Sequence, residues 1–105
     1  MKHTKNMIYK PSEESRELFL YATNDSFLYN HQTKYIIENL RKKAKKDIYE
    51  SEKAIDLYYN LATNASDKYY KDFGYKFNVS DRYTVAVELE AYYKDDEVFY
   101  NLDNN

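Results

Sequence analysis

Residues 51–74 read SEKAIDLYYNLATNASDKYYKDFG and carry the clearest periodicity in the chain. Ala54, Leu57, Tyr58, Leu61, Ala62, Ala65, Tyr69 and Phe73 recur at spacings of three and four, which is one face of an α-helix. Ser51 stands at an N-cap position with Glu52 behind it. Gly74 stands where a helix takes its left-handed closing residue. The spacing predicts a helix over 51–73.

Toward the N-terminus, Lys10-Pro11 ends a basic, polar leader, because the residue before proline resists the helical region. Ser12 is a good N-cap, and Glu13 and Glu14 complement the dipole of a helix predicted over 13–22. The capping residues Thr23-Asn24-Asp25-Ser26 break that helix and start another, predicted over 26–46. Ile36, Ile37, Leu40, Ala44 and Ile48 supply its apolar stripe. Residues 47–50 read as a connection, and 51–73 is expected to pair antiparallel with 26–46.

Toward the C-terminus, residues 75–93 admit two readings. Tyr75, Phe77, Val79, Tyr83, Val85, Val87 and Leu89 alternate as strands do, with Ser80-Asp81 as a hairpin turn. Val85, Ala86, Leu89, Tyr92 and Tyr93 also form a helical face, and Ser80 and Asp81 are N-caps too. An isolated hairpin is marginal in water, so a helix over 81–94 is preferred. Val98-Phe99-Tyr100 is read as a final turn, and 101–105 as a fraying tail. The expected fold is all-α, a small bundle of about four helices in one domain over 1–105. The alternative is α+β with a hairpin at 75–93.

Composition agrees with helices. The chain has 105 residues with one glycine, one proline, no cysteine and fourteen tyrosines. Few breakers mean few turns. Many tyrosines suit a small core whose rim keeps hydroxyls wet. In the doublets Tyr58-Tyr59, Tyr69-Tyr70 and Tyr92-Tyr93, adjacent residues point about 100° apart, so one ring enters the core while the other covers the rim. Tyr59, Tyr70 and Tyr92 or Tyr93 are candidates for an exposed aromatic patch. Absence of cysteine removes disulfides and thiolate sites and suits a cytoplasmic protein. No stretch approaches the ~20 apolar residues of a membrane span.

Charge is nearly balanced overall, at net −2, but segregated. Arg41, Lys42, Lys43, Lys45 and Lys46 crowd the end of the second predicted helix, and residues 34–53 hold seven basic against four acidic side chains. That run can neutralise phosphates of a nucleic acid, with nearby tyrosines stacking on bases. The preferred reading of the run is a solvated helix end in favourable dipole contact, since basic helix termini are common. Residues 80–105 carry net −5 (seven acidic, two basic). Glu88, Glu90, Asp95, Asp96 and Glu97 are the candidate acidic patch for a protein partner, mimicking phosphates before a basic groove. Plain solubility charge is the competing reading. The two poles also suit a head-to-tail homo-oligomer.

No enzyme reading stands out. His31 is the one histidine outside the leader, and no metal spacing surrounds it. Asp95-Asp96-Glu97 lacks the spacing and glycine of a calcium loop. Phosphate loops and nucleophile elbows need glycines this chain lacks. No catalytic residue, cofactor or metal is therefore assigned.

Glu17-Leu18, Asn24-Asp25 with Leu28-Tyr29, Asn39-Leu40 with Lys42-Lys43, Tyr49 and Lys53-Ala54 together resemble a group of small helical proteins of bacteriophages, prophages and other mobile elements. The likeness continues through Ala65, Tyr70-Lys71, Phe73, Arg82, Val85-Ala86 and Glu88-Leu89. This chain has Asn30 where the group commonly has a basic residue, and Asp47 near where it has glycine. The resemblance implies an all-helical fold and a mobile-element origin, and it brings no activity. The expected role is a non-enzymatic accessory protein that binds a host protein, most concretely by inhibiting a defence complex or nuclease. The alternatives are a small nucleic-acid-binding protein and a self-associating structural component.

Overall fold

The computed structural model describes residues 12–95, and the leader, the turn at 98–100 and the tail lie outside them. Four helices account for nearly all of the described chain, with no strand among the described residues. Helix α1 spans Glu13–Asn24. Helix α2 covers 26–45 as three continuous pieces, Ser26–Leu28, a π-helical turn at Tyr29–Thr33, and Lys34–Lys45. Helix α3 spans Ser51–Phe73 and α4 spans Val79–Asp95.

The caps explain the boundaries. Ser12 and Ser15 form a reciprocal box: Ser15 N–H donates to Ser12 Oγ at 3.0 Å, and Ser12 N–H to Ser15 Oγ at 2.8 Å. Asp25 ends α1 and caps α2, its carboxylate accepting from Phe27 N–H at 2.9 Å. Helix α3 has no side-chain cap. Glu50 holds the N-cap position and Ser51 is already helical, contrary to the expectation for Ser51. Asn78, rather than Ser80 or Asp81, caps α4, its side chain accepting from Asp81 N–H at 2.7 Å.

Among the described residues, two adopt the left-handed conformation. Gly74 closes α3 at φ 77° and donates to Tyr70 O at 2.8 Å. Asp47 closes α2 at φ 59°. There Ile48 N–H reaches Lys43 O at 2.9 Å and Asp47 N–H reaches Ala44 O at 3.1 Å, the paired bonds of a Schellman end.

The central antiparallel pair is α3 with α4, where α2 with α3 was expected. Near their turn, Tyr69 and Phe77 meet edge-on at 5.0 Å, and at the far end Tyr58 stacks on Tyr93 at 5.9 Å. Helix α1 packs across both, and α2 leans on α3 with a small interface. The core joins Leu18, Ala22, Leu28, Ile37, Leu40, Ala54, Tyr58, Leu61, Ala62, Ala65, Phe77, Val85, Ala86, Leu89 and Tyr93. Truncating one of its leucines to alanine is expected to cost ~2–5 kcal/mol.

The helical reading of 81–94 wins over the hairpin because Thr84, Val85, Ala86, Leu89, Glu90 and Tyr93 all turn inward, a face only a helix can present. The π turn has a similar cause. Leu28 and Thr33 are both fully buried, yet five residues on a regular α-helix point about 140° apart. One wide turn brings both to the core and passes the stripe on to Ile37 and Leu40.

Candidate functional site

Of the C-terminal acidic residues, Glu88 and Glu90 are drawn toward the bundle. Glu90 is only 7% exposed and accepts a hydrogen bond from the Tyr49 hydroxyl, so it belongs to the core rim and not to a surface. Glu88 is half-buried, and burial pushes its carboxyl above the usual value although Arg16 pulls it back. Asp95 closes α4, while Asp96 and Glu97 lie outside the described residues.

The basic run splits by helix phase. Lys42, Lys45 and Lys46 are exposed, whereas Arg41 and Lys43 are half-buried. Lys42 and Lys46 share one solvent face with Tyr35 and Asn39, opposite the buried Ile37 and Leu40. Ile48, expected in the stripe, is 54% exposed beyond the helix end.

The doublets divide core from rim as expected for Tyr58 and Tyr59 and for Tyr93 and Tyr92. Tyr92 is exposed and meets Phe19 edge-on at 5.5 Å, so it leaves the helical face expected for it. Phe73, expected on the inner face of α3, is exposed instead. The last turn of α3 carries it out of the core, to 65% exposure.

Phe73 belongs to a surface that sequence reading did not assemble. At the α1/α3/α4 corner, Tyr69 packs against Phe73 at 4.6 Å and Phe77 at 5.0 Å, and Tyr75 meets Phe77 at 4.9 Å. Beside these rings runs a shallow groove of about 490 Å³, lined by Tyr69, Tyr75, Phe77 and Leu20. Its α1 edge carries Glu13, Glu14 and Glu17 against a single Arg16. Tyr69 Oη donates to Glu17 Oε2 at 3.2 Å. Burial, and then the hydrogen bond to Glu17, raise the Tyr69 phenol above its ordinary value, so the hydroxyl stays protonated.

A polar knot holds α1 and α2 against α3 at the next turn. Lys68 Nζ lies 2.8 Å from Asp25 Oδ2 and 3.8 Å from Asp72 Oδ2. It donates to Tyr21 Oη at 3.2 Å, and Tyr21 donates to Asp72 Oδ2 at 3.0 Å. Burial alone would raise the Asp25 carboxyl, but Lys68 and the Phe27 and Leu28 amides outweigh it and hold it low. Asp25 and Tyr21 raise Lys68 in return.

Beyond this knot opens a groove of about 1010 Å³, between the start of α2, α3 and the start of α4. Gln32 bridges it by accepting from Asn64 Nδ2 at 2.8 Å. Arg82 crosses it, donating to Phe77 O at 2.6 Å and Tyr59 Oη at 3.3 Å.

Among the described residues, no group of three or more His, Cys, Asp or Glu side chains is placed to hold a metal ion, and no helix is long and apolar enough to cross a membrane. The chain matches no protein-family model, no curated protein and no solved structure.

Proposed function

We propose that this chain is a non-enzymatic accessory protein of a phage or other mobile element that binds a host protein, and that its contact is the acid-edged aromatic corner. The observation behind this reading is the juxtaposition of exposed rings at Phe73 and Tyr75 with the carboxylates Glu13, Glu14 and Glu17. Exposed aromatics supply the anchors of protein interfaces, and a single-signed edge steers an oppositely charged partner. The fitting partner presents a basic segment with apolar side chains, such as the nucleic-acid groove of a host nuclease or defence complex. The corner takes the place of the acidic patch at the C-terminus, whose Glu90 is turned inward.

The test is capture from a host lysate by the tagged chain, with nuclease treatment as the paired control. A stoichiometric protein that survives nuclease, and is lost with Phe73→Ser combined with Tyr75→Ser, is the expected result. Both side chains are exposed, so the double variant should fold. Unchanged capture by that variant would remove the corner as the contact.

A second reading rests on the solvent face of α2, where Tyr35, Asn39, Lys42 and Lys46 align. Such a strip suits phosphate contact with one stacking ring. Recovery of nucleic acid that falls steeply with salt, and disappears in Lys42→Gln with Lys46→Gln, would move the assignment there.

A further inference from the structure

We propose that the large groove between the start of α2, α3 and the start of α4 binds a small aromatic anion, a site that shares Phe77 with the protein-binding corner. Its volume of about 1010 Å³ is in the range of small-molecule sites. Flat apolar contact comes from Phe27, Tyr70 and Phe77 along its walls.

Charge decides the sign of the ligand. Lys68 is already matched by Asp25 and Asp72. No ion pair among the described residues engages Lys71, Lys76 or Arg82, and Asp67 is the one other carboxylate lining the groove. Lys76 Nζ sits 5.2 Å from the Tyr70 ring centroid, so a cation and a stacking face stand side by side.

Unused donors point the same way. Thr63 Oγ1 and Arg82 Nε are buried without a hydrogen-bond partner, and both residues line the groove. Arg82 Nη2 on α4 reaches the Tyr59 hydroxyl, and Tyr59 lies one helical turn before Thr63 on α3. Buried donors without partners are rare and cost stability, and a ligand oxygen would relieve both. A carboxylate, sulfonate or phosphate at Thr63 and Arg82, with a planar ring toward Tyr70 and Lys76, satisfies every one of these groups.

The test is calorimetric titration of the full chain with AMP and with naphthalene-1-sulfonate, two unrelated aromatic anions. Adenosine and inorganic phosphate serve as half-ligands. Saturable binding at or below about 1 mM for at least one aromatic anion is expected, with both half-ligands about tenfold weaker or worse. Lys76→Gln, Tyr70→Leu and Thr63→Val should each weaken it about threefold to tenfold while the helical circular dichroism is retained. The first two replace exposed side chains and the third is close in shape, so loss of fold does not obscure the result. No saturation by either anion, or affinity indifferent to all three substitutions, would overturn the assignment.

Discussion

Asp47 and Gly74 occupy the same backbone conformation at the ends of two successive helices, with unequal fitness for it. A left-handed residue with a Cβ costs roughly 1 kcal/mol or more relative to glycine, and aspartate tolerates the region better than most. A Cβ built at Gly74 meets nothing within 4 Å, so the penalty there is conformational only. Gly74→Ala is expected to lower stability by ~1–2 kcal/mol, and Asp47→Gly to raise it by up to ~1 kcal/mol. Urea melts of the two variants read both signs directly. Equal and unchanged midpoints would show that neither end holds the left-handed turn in solution. At φ 59° the Asp47 backbone carries strain that the Schellman hydrogen bonds must offset.

Between elements, the pairing of Asp25 with Lys68 does what no local rule anticipates. Asp25 caps α2, and the same carboxylate grips α3 through Lys68. Its pKa is depressed in the folded chain, so its contribution to stability is present above the ordinary value of 3.8 and is lost as pH falls through the lower folded value. Asp25→Asn keeps the cap and removes the charge. Stability at neutral pH should drop by roughly 1 kcal/mol, because solvent screens the partly exposed lysine, and the decline below about pH 3.8 should flatten. Thermal melts from pH 2 to pH 7 compare the two acid limbs. An unaltered limb in the variant would assign the acid sensitivity to other carboxylates.

Across the whole molecule, burial is uneven. Helix α3 buries six side chains, whereas Lys34–Lys45 buries Ile37 and Leu40 alone. Segments with few buried contacts open at lower free energy than the global transition. Amide hydrogen exchange should therefore show faster exchange over 37–45 than over 58–66, with α3 and α4 protected together. Equal protection of the two segments would mean that α2 opens only with the whole fold. The same unevenness leaves the basic face of α2 on the outside and puts the aromatic corner and the large groove on the better-packed side, which can hold them in shape.

Helix number and type, the break at Asp25 and the closing role of Gly74 are all legible from composition, periodicity and caps, because each depends on neighbours within a few residues. The helix over 79–95 was legible as one of two readings, and the bundle settled it by burying Thr84, Val85, Leu89 and Tyr93 together. The π turn, the inward Glu90, the outward Phe73 and the pairing of α3 with α4 depend on partners far away in the chain. Tyr49 meets Glu90, and Lys68 meets Asp25, across 41 and 43 residues respectively. Helical periodicity says which side chains share a face. Which neighbour covers that face is a matter of packing, and this is why Glu90 turned inward while an acid-edged aromatic corner formed from α1 and the α3–α4 turn.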